Sequence, residues 1–143
     1  MDEWFPEKLE RNEIQAFGDD YLLFETAFMT QPQQLFNSIF HMKLKGYKPV
    51  LAHPERYIYL QNDHKQAAQI YEQGVYFQLN LNALCGYYGP GAKALAEHLI
   101  TEGMVDFVGT DTHGQRHIGG LRKVLQSRSF GQLVDLNLRN NKL

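Results

Sequence analysis

Four short apolar runs, each ending in a polar cluster and each followed by an amphipathic segment, restrict this chain to α/β architectures built on a parallel sheet. The runs are 21–24 before Glu25, 49–52 before His53, 75–79 before Asn80, and 105–108 before Gly109 and Asp111. They are almost continuously apolar, as expected of strands covered on both faces. The segments between them read as helices stopped by glycine, which adopts the left-handed cap without a Cβ clash. Segment 32–45 carries Leu35, Phe36, Ile39 and Phe40 on one face and stops at Gly46. Asp63 caps a helix through Tyr71, with Gln66 placed to complete a capping box and Ala67, Ala68, Ile70 and Tyr71 facing inward. Pro90 opens a helix over 91–102 that buries Leu95, Ala96, Leu99 and Ile100 before Gly103. A fourth helix is expected over 119–126 and a fifth over 133–138.

At 143 residues the chain has the length of one domain, well short of the roughly 250 residues of a complete eight-unit (β/α) barrel. With 14 basic against 16 acidic side chains there is no cationic excess to displace counterions from phosphates, which excludes general nucleic-acid binding. The single cysteine excludes an internal disulfide and suits a reducing compartment. No apolar run approaches the roughly 18 residues that span a bilayer. The acidic opening MDEWFPEKLE is unlike a signal peptide. The expectation is a cytoplasmic protein with no membrane insertion, free of linkers, repeats and low-complexity segments.

In a parallel sheet the carboxyl ends of the strands share one rim, where ligands and catalytic groups collect. Glu25, His53 and Asp111 all fall there, and carboxylate oxygens with an imidazole suit manganese, iron or zinc. Each has a structural alternative when taken alone: Glu25 as the cap of a turn, His53 as a satisfied core histidine, Asp111 as a turn residue. In His53-Pro54-Glu55-Arg56-Tyr57 the proline is expected to hold His53 extended with its ring aimed outward. Arg56 then reaches a bound anion with its five-donor fork, or pairs with a carboxylate instead, and Glu55 reads as a structural partner. In Gly109-Thr110-Asp111-Thr112-His113, extended chain puts Asp111 and His113 on the same face, beside a glycine that permits close backbone approach. Other motifs fail. Cys85 lacks the arginine of a cysteine phosphatase loop and reads as a small buried hydrophobe. The segment 86–93 lacks an adjacent Gly-Lys pair, and Pro90 removes an N–H that a dinucleotide loop at 89–94 would use. His113 and His117 lack the glutamate of a zincin helix, while His41, His64 and His98 read as solvated.

Leu22-Leu23-Phe24-Glu25, then Gly46-Tyr47-Lys48-Pro49-Val50-Leu51-Ala52-His53-Pro54-Glu55-Arg56, then Gly109-Thr110-Asp111-Thr112-His113, in that order, resemble the bacterial protein-tyrosine phosphatases of the polymerase and histidinol phosphatase (PHP) superfamily associated with capsule and exopolysaccharide export. The resemblance implies a distorted (β/α)7, TIM-like barrel with two or three divalent metals at its carboxyl end. Manganese is the foremost candidate, with iron, zinc or magnesium as alternatives. By motif, Glu25 resembles a bridging carboxylate, His53 an imidazole ligand, and Asp111 and His113 the last two ligands. Arg56 resembles the phosphate clamp, and Arg116 a second arginine at a spacing that differs from the family's. Gln78, Asn80 and the segment 86–89 resemble a region that supports the loop. The implied reaction is phosphotyrosine hydrolysis by metal-activated hydroxide, with Arg56 neutralising the phosphate oxygens. The implied partner is a phosphotyrosine protein, such as the tail of a bacterial tyrosine kinase.

One departure sets further expectations. The family opens with a His-x-His on its first strand, and none occurs here. Residues 1–143 are therefore expected to form a single partial domain, the later part of the barrel and incomplete at the N-terminus, with a short ligand set, impaired turnover and self-association through an exposed barrel edge. The alternatives are a PHP phosphoesterase acting on histidinol phosphate or a sugar phosphate, and a non-catalytic remnant that binds a partner through Arg56, Tyr57, Tyr87 and Tyr88.

Overall fold

The structure is a computed structural model that describes residues 14–111 and 114–142, with 115–117, 141 and 142 described by backbone alone. Strands β1 (Tyr21–Phe24), β2 (Lys48–Ala52), β3 (Tyr76–Asn80) and β4 (Phe107–Gly109) form one parallel sheet in the order β1-β2-β3-β4. Each strand thus lies beside its sequence neighbour, and the helical connections cross over without a reversal of order. These connections hold α1 (Leu35–Leu44), α2 (Ile58–Asn62), α3 (His64–Glu72) and α4 (Pro90–Thr101). After β4 come α5 (Gln115–Val124) and α6 (Arg128–Val134). Short 3₁₀ turns at Pro54–Arg56 and Leu81–Cys85 follow β2 and β3 directly.

The period-2 alternation of the strands separates two cores. Leu22, Phe24, Leu51, Phe77 and Leu79 pack against the helices, together with Leu35, Ile39, Ile70, Leu95 and Leu99. On the opposite face Tyr21, Val50 and Phe107 form a small aromatic cluster with Phe17 and Tyr76, the Tyr21 and Phe107 rings meeting edge to face at 5.1 Å. Arg139 covers this cluster. Its guanidinium lies 4.5 Å from the Tyr76 ring centroid, pairs with Asp106 at 3.3 Å and donates to the Tyr21 hydroxyl.

Several expectations change. The buried stripe of α1 is Leu35, Ile39 and Met42, leaving Phe36 and Phe40 exposed beside it. Asp63 does cap α3 by accepting from the Lys65 N–H, but the Gln66 amide donates to the Asp63 carboxylate instead of closing a capping box. His64 and His98 are not solvated rings: they are half-buried and stacked at 4.5 Å. Cys85 is half-buried and its thiol donates to the Asn82 carbonyl. The last helix lies at Arg128–Val134 instead of 133–138, because Ser127 caps it, accepting from the Phe130 N–H while donating to the Val124 carbonyl.

Candidate functional site

The carboxyl ends of the four strands surround one cavity of about 150 Å³ lined by Glu25, Ala52, His53, Asn80 and Asp111, with Leu23, Gln78, Gly109 and Thr110 completing the wall. Position, and not local sequence alone, brings these groups together. Glu25 follows β1, His53 follows β2, and Asp111 lies two residues beyond β4. Gly109 permits the narrow floor, since a Cβ there would collide with the Gln78 side chain.

His53 departs from the extended conformation expected of a residue before proline. Its φ of 36° and ψ of 57° are left-handed, and its N–H is held by the Gln78 carbonyl at 2.8 Å. This turn stops β2 abruptly and starts the 3₁₀ turn, whose Arg56 N–H bonds back to the His53 carbonyl. Asp111 also has positive φ, 43°. Such backbone costs a non-glycine residue on the order of 1–3 kcal/mol, and strain of this kind concentrates at functional sites.

The His53 ring is not aimed outward; the residue is buried and stacks on Phe28 with ring centroids 5.7 Å apart. Its Nε2 lies 3.0 Å from Glu25 Oε1, while its buried Nδ1 has no partner among the described residues. Asp111, in the wall of the same cavity, receives Arg56, whose Nη1 stands 3.4 Å from Asp111 Oδ2. The guanidinium lies between two rings, 5.0 Å from the centroid of Phe28 and 4.6 Å from that of Tyr88. Arg56 therefore pairs with Asp111 and not with Glu55.

Glu55 turns inward. It is fully buried, and neither carboxylate oxygen has a hydrogen-bond partner among the described residues. Burial pushes its pKa up to about 8, a rise that nearby backbone N–H groups of Glu55 and Asn80 and the charge of Arg56 only partly oppose. Asn80 and Asn82, also buried, link the loops: Asn80 donates to the Tyr88 hydroxyl and Asn82 to the Thr110 carbonyl. Sequence reasoning placed Gln78 and Asn80 as loop support but missed Asn82. The signal was the continuing alternation of Gln78, Asn80 and Asn82 past the strand end.

His113 lies outside the described residues, and Arg116 falls on α5 with its side chain outside the description. Among the described residues no group of three or more His, Cys, Asp or Glu side chains converges as a metal cage. The donor chemistry of the pair that does meet nonetheless fits a divalent cation. Two ligand bonds of about 2.1 Å at a right angle put their donor atoms about 3.0 Å apart. Glu25 Oε1 and His53 Nε2 share a hydrogen bond at 3.0 Å, so a cation held by both takes the place of that proton.

Known proteins resemble this chain in sequence and in fold. Tyrosine-protein phosphatase YwqE of Bacillus subtilis (strain 168) is 29% identical over 106 residues, 73% of this chain and 42% of the relative. Tyrosine-protein phosphatase CpsB of Streptococcus pneumoniae is 30% identical over 113 residues, 75% of this chain and 46% of the relative. The chain spans about half the length of the curated relatives it matches. In three dimensions it matches a chain from the crystal structures of YwqE and CpsB, described as unique metal-dependent tyrosine phosphatases. The TM-score is 0.76 at 25% identity, covering 94% of this chain and 58% of that one. Residues 2–123 match the family described as "Capsular polysaccharide synthesis, CpsB/CapC", and the chain belongs to that family.

Proposed function

We propose that this chain carries part of a metal-dependent phosphatase site that hydrolyses phosphotyrosine on a protein of capsular or exopolysaccharide synthesis, and that its four parallel strands are an arc of a distorted (β/α)7 barrel. One observation carries the reading: a hydrogen-bonded imidazole–carboxylate pair, Glu25 and His53, and Asp111, the carboxylate partner of Arg56, line one cavity at the strand ends. Glu25, His53 and Asp111 are the proposed ligands in the described region, with His113 following by motif. A divalent ion, manganese foremost, supplies a Lewis acid for the phosphoryl oxygens and lowers the pKa of water when bound. Arg56 binds and orients the phosphate with paired N–H donors and offsets charge developing on the equatorial oxygens. It does so by leaving Asp111, which the same carboxylate's role as a ligand requires. Phe28 and Tyr88, flanking the guanidinium, favour an aryl ester over histidinol phosphate or a sugar phosphate. The protein substrate is then a phosphotyrosine tail such as that of a bacterial tyrosine kinase, met in the cytoplasm. Residues 1–143 act as one domain that self-associates through the outer edge of β1.

Calorimetric titration with Mn²⁺ and then inorganic phosphate tests the site, with p-nitrophenyl phosphate turnover read alongside. Phosphate binding that requires Mn²⁺ and is lost in His53→Ala and Asp111→Asn supports the reading. Phosphate binding indifferent to Mn²⁺ and to both substitutions overturns it.

A further inference from the structure

Arg56 and Asp111 come from loops 55 positions apart, yet a closed circuit of contacts through the half-buried Tyr88 and the buried Asn80 and Asn82 joins them. The Arg56 guanidinium lies 4.6 Å from the Tyr88 ring centroid. The Tyr88 hydroxyl accepts from Asn80 Nδ2 at 3.0 Å, and Asn80 Oδ1 in turn accepts from the Asn82 N–H at 3.1 Å. Asn82 Nδ2 donates to the Thr110 carbonyl at 3.1 Å, and Thr110 precedes Asp111, whose carboxylate returns to Arg56 at 3.4 Å. Asn80 and Asn82 are 3% and 0% exposed, which shields these hydrogen bonds from water.

A guanidinium over an aromatic face spends no N–H donor on a carboxylate to hold its place, and here one Nη1 donor goes to Asp111 while the Tyr88 ring makes its own contact with the cation. The ring thus fixes where the arginine stands without occupying the donors that an anion would use. An arginine on a surface turn would otherwise lose considerable rotamer freedom on binding.

From this circuit we infer that Tyr88 and Asn80 are positioning residues: the Tyr88 ring, locked by Asn80, holds Arg56 in place for an incoming phosphate and ties its position to that of the Asp111 loop. The inference deepens the phosphatase reading and rests on it for the identity of the anion. The preorganised state of the arginine stands apart from that reading.

Two measurements on the full chain separate the two. The first is the order of the Arg56 side chain, read from its Nε–Hε resonance in nuclear magnetic relaxation, with Arg139 as the internal control. Tyr88→Leu is expected to release Arg56 and leave Arg139 unchanged; Tyr88→Phe, which keeps the ring and loses its lock, is expected to fall between Leu and wild type. The second is inorganic phosphate affinity in the presence of Mn²⁺, expected to weaken about fivefold in Tyr88→Leu and to recover largely in Tyr88→Phe. Thermal melts of both variants show that the readings come from folded protein. Undiminished Arg56 order in Tyr88→Leu overturns the inference, as does unchanged phosphate affinity in a wild type that binds it. Loss of Arg56 order in a protein that never binds phosphate supports the positioning role and removes the phosphatase reading alone.

Discussion

Glu55 is the residue whose surroundings agree least with its chemistry: a carboxyl 0% exposed, with both oxygens unpartnered among the described residues. In the unfolded chain it ionises near 4.5, and in the fold burial holds its proton up to about 8. Between those values the native state binds a proton that the unfolded state has lost, so stability falls as pH rises and levels off above about 8. Glu55→Gln keeps the shape and removes the slope. In metal-free protein the variant is expected to match wild type near pH 5 and to exceed it at pH 8.5 by on the order of 4 kcal/mol. Chemical denaturation at the two pH values checks this; an equal difference at both would refute it. The same short motif shows what sequence could and could not disclose. That His53 and Arg56 belong to the rim was legible, because strand ends in parallel sheets converge. That Glu55 turns inward while Arg56 crosses to Asp111 was not, because it follows from the left-handed turn at His53, a conformation the following proline gives no reason to expect.

At the scale of the element, α5 packs on the Leu81–Cys85 turn that carries Asn82, and two adjacent glycines on it make opposite predictions. A Cβ at Gly120 would stand 2.6 Å from Asn82 Oδ1 and 3.1 Å from Cys85 Sγ, whereas one at Gly119 meets nothing within 4 Å. Both positions are helical, so alanine gains about 0.5–1 kcal/mol of propensity at either. At Gly120 the neighbour cannot yield, since Asn82 is buried and its amide is tied to the Thr110 carbonyl. Gly119→Ala is therefore expected to stabilise by about 0.5–1 kcal/mol. Gly120→Ala is expected to destabilise by about 1–2 kcal/mol net and to weaken the hold on the Asp111 loop. Urea denaturation of the two variants measures both, and the same sign at both positions would show that α5 does not press on Asn82. The helix expected over 119–126 runs instead from Gln115 to Val124, with its two glycines inside it, whereas α4 was legible from glycine punctuation and apolar spacing, and its Leu95, Ala96, Leu99 and Ile100 are all buried as expected. The face of α1 was not, because Phe36 and Phe40 form an equally apolar stripe beside the buried one, and only the position of the sheet selects between them.

At the scale of the molecule the two faces of the sheet are unequally covered. The helical face buries a continuous core, while the other holds five aromatic and aliphatic side chains under Arg139. The near-continuous apolar strands suggested equal cover, and the exception is Leu23, 45% exposed at the centre of β1. Phe17 bonds Tyr21 on one side of the strand, N–H to carbonyl in both directions at 2.9 Å, and β2 borders β1 along the other. Beyond Tyr21 no described strand borders Leu22–Phe24 on the outer side. An edge that no described strand covers invites pairing with a second copy, and a lysine at Leu23, whose side chain stands on the sheet face in the cavity wall, opposes it by charge. The proposed self-association thus predicts sedimentation faster than a monomer at tens of micromolar, and a return to the monomer rate in Leu23→Lys with the melting temperature held. A wild type that sediments as a monomer throughout that range would exclude pairing at β1. An associated Leu23→Lys would move the contact elsewhere, to the exposed stripe of Phe36, Phe40 and Leu44 on α1 as the next apolar surface.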